Sequence, residues 1–298
     1  MSVERGVRPD WLTHELFPCH SRFVDIAGHT VHYVDEGSGP TLLMLHGNPT
    51  WSFVYRHLIR LLRGRFRCVA LDYPGFGLSI AAGAYDYLPE SHVAVVERFV
   101  ERIGLDEFTP VVQDWGGPIG LGLAGRHATR ARALVILNTW AWPVADDPHF
   151  VRFSKLMGGT VGGFAIREFN AFVNVMIPLG TPRRKLTPEV MLAYRRPMGT
   201  RARREATHIF PRAIVGSSPF LATVEAGLQR LACKPVLLCW GDKDIAFREK
   251  ERARFERTFP RSRAVALSGA GHYVQEESPA EIAAAIQTWW PEDVEGRA

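Results

Sequence analysis

The run Val111-Val112-Gln113-Asp114-Trp115-Gly116-Gly117 sets a carboxylate between a β-branched stretch, which reads as a buried strand, and small residues opening into Ile119-Gly120-Leu121. The expectation is a strand, a sharp turn and a helix. In the motif Gly-x-Ser-x-Gly such a turn presents a strained, exposed serine nucleophile at the top of a sheet. Here Val112 replaces the first glycine, Asp114 replaces the serine, and Gly116 keeps the place of the last glycine. A serine alkylated at sp³ carbon becomes an ether that water does not readily cleave. A carboxylate alkylated there becomes an ester that water can hydrolyse, so an aspartate nucleophile points to alkyl substrates with good leaving groups.

An aspartate that ends a strand also serves as a helix cap or a metal ligand, and its company decides between these readings. Asp244, in Trp240-Gly241-Asp242-Lys243-Asp244, and His272, in Gly269-Ala270-Gly271-His272, follow Asp114 in the chain. Nucleophile, acid, histidine is the order of the triad in α/β-hydrolases. Each residue comes just after an apolar run: Pro110 to Gln113, Val236 to Trp240 and Ala264 to Leu267. Asp242 is the rival for the acid, two residues from Asp244.

Upstream, Thr41-Leu42-Leu43-Met44-Leu45 runs into His46-Gly47-Asn48-Pro49-Thr50-Trp51. In this architecture one backbone N–H from that loop and one from the residue after the nucleophile make the oxyanion hole. Asn48 and Trp115 would then be neighbours. Their side chains offer an amide N–H and an indole N–H beside Asp114. Two neutral donors with no cation suit a large monovalent anion such as chloride or bromide.

With these residues in view, the chain resembles the haloalkane dehalogenases of the α/β-hydrolase superfamily from about Phe17 to Trp290. The carriers are His46-Gly47-Asn48-Pro49-Thr50-Trp51, Asp72-Tyr73-Pro74-Gly75-Phe76-Gly77-Leu78-Ser79, Gln113-Asp114-Trp115-Gly116-Gly117 and Gly271-His272. The resemblance implies a mostly parallel eight-stranded sheet flanked by helices, with an inserted helical cap. It implies Asp114 as nucleophile, His272 as base, Asn48 and Trp115 as the halide pair, and no cofactor. Some members place the orienting acid as a glutamate after the sixth strand. Here Ala133-Leu134-Val135-Ile136-Leu137 runs into Asn138, so the acid falls to Asp244, whose place in the family's Gly-x-x-Asp spacing also favours it over Asp242. An Asp-His-Asp triad with an Asn-Trp pair resembles one subgroup of the family. Phe210-Pro211-Arg212 matches a stretch whose proline borders the halide site, so Pro211 is a candidate pocket residue. His46 takes a structural part beneath the oxyanion loop.

Composition agrees with an enzyme of this size. With 298 residues and 46% hydrophobic content the chain can bury a large core, as one large domain or one with an insertion. No run of about 18 apolar residues predicts a membrane span. Met1-Ser2-Val3-Glu4-Arg5 lacks the apolar region of a secretory leader, and the simplest expectation is the cytoplasm. Cys19, Cys68, Cys233 and Cys239 have no metal spacing; the last three are expected in the core or beside strands. No His, Cys or carboxylate cluster predicts a metal. A net charge of +5 and a basic cluster from Arg183 to Arg204 come without a nucleic-acid motif, so the cluster is expected to be a solvated helical face.

Strand-like and helical runs alternate from Thr41 to Asn138, then strand character lapses until Pro235. This divides the chain into core residues 1–139, a helical cap at 140–215 and core residues 216–298, with helices expected at Pro188 to Arg196 and Ala202 to Phe210. The last helix is expected to begin with Ser278-Pro279-Ala280-Glu281, a capping-box spacing with proline at the first helical position. Trp142, Phe150, Phe153, Phe164, Phe169, Phe172 and Met198 are candidates for an apolar pocket wall, and the cap's apolar content is compatible with self-association into a homo-oligomer. His149 and His208 are expected to be surface or core residues, and Asp72 to fix the turn through Pro74 and Gly75.

The expected partners are a small apolar halogenated substrate, halide and water, with no nucleic acid and no membrane. The runner-up is an epoxide hydrolase, which shares the aspartate and histidine but needs cap tyrosines to protonate an alkoxide. Tyr194 is the only tyrosine between Trp140 and Val215. A fluoroacetate dehalogenase needs arginines after the nucleophile, and Trp115-Gly116-Gly117-Pro118 supplies none. A non-catalytic receptor built on the same pocket would fit the loss of a triad member, and none is lost.

Overall fold

The computed structural model describes residues 4–290, so the Met1-Ser2-Val3 part of the leader reading and the end of the last core segment lie outside the described residues. In chain order the regular elements are β1 (Arg22–Ile26), β2 (His29–Glu36), β3 (Thr41–Leu45), α1 (Arg56–Leu62), β4 (Arg67–Leu71), α2 (Pro89–Arg102), β5 (Thr109–Val112), α3 (Gly116–Arg126) and β6 (Leu134–Leu137). The segment that follows is helical: α4 (Pro148–Gly158), α5 (Thr160–Phe169), a π-helical turn (Phe172–Met176), α6 (Ile177–Leu179), α7 (Pro188–Arg195), α8 (Glu205–Gly216) and α9 (Ser218–Leu228). The chain then returns to β7 (Val236–Gly241), α10 (Glu249–Thr258), β8 (Ser262–Leu267), α11 (Val274–Glu277) and α12 (Pro279–Trp289).

The strands form one eight-stranded sheet of order β1-β2-β4-β3-β5-β6-β7-β8. β1 and β2 pair antiparallel, β2 joins β4 antiparallel, and β4 through β8 run parallel. Parallel strands covered on both faces read as unbroken apolar runs. The stretches Leu42 to Leu45, Thr109 to Val112 and Leu134 to Leu137 are accordingly buried throughout. The edge strand β8 is largely open to solvent. The direction of winding reverses at β3, with β4 on one side and β5 on the other, and ligands of such sheets bind at the carboxyl ends beside that reversal. His46–Asn48 and Asp114 lie there.

Locally the helical segment departs from its sequence pattern. Ala202–Arg204 is a separate 3₁₀ turn, and α8 runs through Pro211 instead of stopping at Phe210. Helix α8 packs along α4, and that neighbour holds the proline-containing turn in place. Ser278 makes no side-chain cap to α12; its Oγ accepts from Arg183 Nη1 at 2.6 Å. The basic cluster is not one solvated face. Arg203 donates to the carbonyls of Ser79 (2.6 Å), Pro197 (3.0 Å) and Gly77, and Arg204 to those of Met198 and Arg167 (2.7 Å each), so these guanidiniums tie the segment to the sheet loops and to itself. Cys68 and Cys239 are buried in strands, whereas Cys233 is exposed and belongs to no core.

Candidate active site

Asp114 sits at φ 50°, in the left-handed region a side chain rarely adopts, at the turn between β5 and α3. Its strain is held by neighbours on every side. Asp114 N donates to Asn138 O (2.9 Å), its carbonyl accepts from Gly117 N (2.9 Å) and from Thr139 Oγ1, and Gly116 N donates to Gln113 O (2.8 Å). A Cβ on Gly116 would run into the Leu45 carbonyl at the end of β3, so the turn closes against that strand only because position 116 is glycine. Asn138, where a glutamate acid stands in other arrangements, is buried and fastens β6 to β7. Its Oδ1 accepts from Gly241 N at 2.8 Å, and its Nδ2 donates to Gly241 O at 3.2 Å.

The carboxylate has two different faces. Oδ1 accepts from Asn48 N at 2.6 Å, and the Trp115 backbone N–H also donates to the group. Oδ2 lies 3.8 Å from His272 Nε2, a gap of the kind a water bridges. His272 Nδ1 is 3.0 Å from Asp244 Oδ2, and Asp244 Oδ1 accepts from Ala246 N at 2.7 Å. Asp242 is exposed and takes the Gly269 N–H at 2.7 Å, away from the imidazole. Burial pushes the Asp114 carboxyl up from its ordinary value, against the pull of His272 and the two N–H groups. Burial pulls His272 down, but the Asp244 charge and hydrogen bond, with Asp114 behind them, leave it raised.

Asn48 and Trp115 both line a cavity of about 250 Å³ in front of Asp114. Asn48 is 4% exposed, and one hydrogen of its Nδ2 goes to Thr207 O in α8 at 3.1 Å, leaving the other for the cavity. That carbonyl is available for a covalent reason: Thr207 is four residues before Pro211, which has no N–H to return to it. Trp115 is stacked on Phe210 (5.1 Å, 15°) and edge-on to Trp140 (4.6 Å, 70°), so its indole plane is fixed. Pro211, Phe150, Phe153 and Phe172 line the cavity as well. Trp142, Phe164, Phe169 and Met198 do not: Phe164 and Phe169 are exposed, Trp142 packs on Phe255 and Arg254, and Met198 is buried against Thr207.

The cavity also takes Trp140, His149, Met176, Ile214, Phe247 and Tyr273, which periodicity did not find. Adjacency was the signal for several. Trp140 follows the β6 end by three residues, Phe247 follows Asp244 by three, and Tyr273 is next to His272. His149 therefore belongs to the wall, with Nε2 at 3.2 Å from Ala246 O. Beneath the site His46 is fully buried and held near pKa 4 by that burial, with Nδ1 against Gly47 O (2.9 Å) and Nε2 accepting from Tyr73 N (3.2 Å). Asp72 does more than fix one turn. It accepts from Ser52 N, Leu78 N and His32, each at 2.8 Å, and so joins three segments. Among the described residues no group of three or more His, Cys, Asp or Glu is placed to hold a metal, and no helix is long and apolar enough to cross a membrane.

The model of the α/β hydrolase fold family matches residues 40–279. The chain is 44% identical over 274 residues to haloalkane dehalogenase 2 of Mycobacterium tuberculosis, covering 91% of this chain and 95% of that protein. It is 31% identical over 286 residues to a cis-3-alkyl-4-alkyloxetan-2-one decarboxylase of Shewanella oneidensis, covering 93% and 90%. Among solved structures, a putative ancestral haloalkane dehalogenase superposes with a TM-score of 0.83 at 30% identity, covering 90% of this chain and 97% of the other. The dehalogenase DatA from Agrobacterium tumefaciens gives 0.83 at 27% identity, covering 93% and 98%.

Proposed function

The chain belongs to the haloalkane dehalogenases of the α/β-hydrolase fold, and from that premise we propose that it hydrolyses haloalkanes through an alkyl ester of Asp114, with His272 and Asp244 completing the triad and Asn48 and Trp115 holding the halide. The observation that carries this reading is the divided carboxylate: Oδ1 is bound by Asn48 N at 2.6 Å while Oδ2 faces the His272 base at 3.8 Å. Residues 140–215 act as the cap, supplying Phe150, Phe153, Phe172 and Pro211 to the wall.

In the first step a carboxylate oxygen of Asp114 attacks the halogen-bearing sp³ carbon, and the halide departs in line with the bonding pair. The second Nδ2 hydrogen of Asn48 and the Trp115 indole N–H stabilise the anion as it forms. No proton moves. In the second step water gives a proton to His272 Nε2 and attacks the carboxyl carbon of the ester. Asp244 holds the imidazole and stabilises its cation, and the Asn48 and Trp115 backbone N–H groups take the tetrahedral oxyanion. Collapse expels the alkoxide, which takes the proton from His272. The regenerated Asp114 releases one further proton, so the sum is haloalkane and water to alcohol, halide and proton, without a cofactor.

Two rival substrates fit less well. Epoxide opening calls for a pair of cap tyrosines as donors to an alkoxide, but the cap's Tyr194 hydroxyl is buried and given to Glu276, outside the cavity wall, and among the described residues the wall's one tyrosine, Tyr273, comes from the histidine loop. Opening a strained lactone, as the oxetan-2-one decarboxylases among the relatives suggest, frees a carboxylate, and no Lys or Arg lines the cavity to hold one. The proposal is tested with His272→Phe and 1-bromohexane. About one halide per site should be released in a burst and turnover should then stop, with the alkyl group on Asp114 by peptide mass spectrometry. Absence of both burst and adduct, with wild type turning over, overturns the covalent mechanism.

A further inference from the structure

Gln113, the residue before the elbow, has no part in the chemistry above, yet its side chain touches the base. It is fully buried, and Gln113 Nε2 lies 3.0 Å from His272 Nε2 and 3.1 Å from His272 O. The second contact fixes the orientation of the amide, because an amide oxygen in that place would face a carbonyl oxygen. One amide hydrogen therefore goes to the His272 carbonyl and the other to the imidazole. The imidazole nitrogen that receives it must be unprotonated, which leaves the ring proton on Nδ1, where Asp244 Oδ2 accepts it at 3.0 Å. Gln113 Oε1 is buried without a partner. Both of the amide's contacts are thus made through its nitrogen.

The surroundings of His272 make that contact consequential. Asp244 follows β7 and Asp114 follows β5; both carboxylates favour the imidazolium, and Asp114 Oδ2 is already 3.8 Å from Nε2. Tyr273 stands edge-on at 4.6 Å, and Phe247 lies at 5.5 Å. His149 faces the same cavity, Glu277 of the histidine's own loop is turned to Gly271 N and Arg183 N, and the cap presents only the Gly180 carbonyl, to His272 N at 2.8 Å. Among the described residues, the charged groups that act on the ring are the carboxylates of Asp244 and Asp114. An imidazolium paired with Asp114 would be useless twice over, as a base already protonated and as a cation neutralising the nucleophile.

We propose that Gln113 is a positioning residue that reserves His272 Nε2 as a proton acceptor: its amide N–H stabilises the neutral ring, opposes the imidazolium that two carboxylates would otherwise favour, and returns the base to its working form after each turnover. When the hydrolytic water arrives it takes over Nε2, and the amide N–H is displaced to the water or to the His272 carbonyl alone.

The inference rests on His272 being the base, and its test separates the two. Gln113→Met keeps the length and removes the donor. The acid limb of its kcat–pH profile should move to higher pH by about 0.5–1 unit, the scale of one net hydrogen bond. Gln113→Glu, which sets a carboxylate against Nε2, should move it up by about 1–3 units. At pH values above the limb the pre-steady-state halide burst of Gln113→Met should stay close to wild type, since alkylation needs no base. In wild type, ¹⁵N spectra of labelled histidine should show His272 as the neutral Nδ1–H tautomer at pH 7.5. An acid limb that stays in place in both variants while the burst and adduct persist overturns the role of Gln113 and leaves the mechanism standing. An imidazolium at pH 7.5 in wild type overturns it even if neither variant folds. Failure of His272→Phe to form the adduct would instead remove the mechanism itself.

Discussion

At the scale of single residues, the proposed mechanism divides two hydrogen-bonding tasks among neutral donors and two ionisation tasks among three titrating groups. Trp115 is held between Phe210 and Trp140, so Trp115→Phe keeps an aromatic ring in the stack while removing the indole N–H along with part of the ring. Halide release should slow by about 10²–10³, the usual cost of one oxyanion-hole donor. Unchanged release with an intact circular dichroism spectrum would take Trp115 out of the halide site. The two aspartates near β7 differ as sharply in placement. Asp244 reaches the imidazole and Asp242 caps a turn at Gly269, so Asp244→Asn should lower turnover by about 10⁴ while Asp242→Asn remains active. The opposite pattern of turnover numbers would reassign the acid.

At the scale of elements, Pro211 shows how a helix defect frees a carbonyl for a residue of the proposed site. An ordinary residue at 211 would send its N–H to Thr207 O within α8, and Asn48 Nδ2 would lose its anchor or share it. Pro211→Ala should therefore straighten and stabilise α8 while loosening the Asn48 amide. We expect weaker halide inhibition and a fall in kcat of up to about tenfold, the worth of one hydrogen bond. Halide titration together with thermal unfolding checks both halves. A variant that binds halide as tightly as wild type would show that Asn48 is oriented by something other than Thr207.

At the scale of the whole molecule, buried histidines tie stability to pH. Burial holds His46 near pKa 4 and His92 well below its ordinary value, each inside the packed layer behind the site. The unfolded chain takes up protons on these rings near pH 6.5 and the folded chain does not, so stability is present above that pH and is lost as pH falls towards 4. His272, whose folded pKa is raised, works in the opposite sense. The neutral histidines outnumber it. We expect the unfolding free energy to drop between pH 7 and 4.5, with His46 contributing on the order of 2–3 kcal/mol. Urea titrations at the two pH values measure this, and equal stabilities would count against the buried histidines staying neutral in the folded state.

The sequence by itself determined the parallel strands of the sheet's centre and pointed to the groups proposed here to react. Buried parallel strands leave continuous apolar runs, and an elbow sets its nucleophile before a glycine at fixed spacing, so Asp114 and His272 could be proposed from local pattern, while the choice of Asp244 over Asp242 and the pairing of Asn48 with Trp115 leaned on the family resemblance. What only the tertiary structure decided lies between elements. Phe153 and Phe172 face the cavity while Phe164 and Phe169 face solvent, because the helices after β6 pack on one another with a π-helical turn at Phe172–Met176 that no regular period anticipates. Arg203 and Arg204 look like surface charge until carbonyls of distant loops are seen to receive them. The contact of Gln113 with His272 joins positions 159 residues apart, and the use of Thr207 O by Asn48 spans the same interval. Periodicity reports which face of an element is apolar; which polar atom meets which is fixed only when the elements are packed.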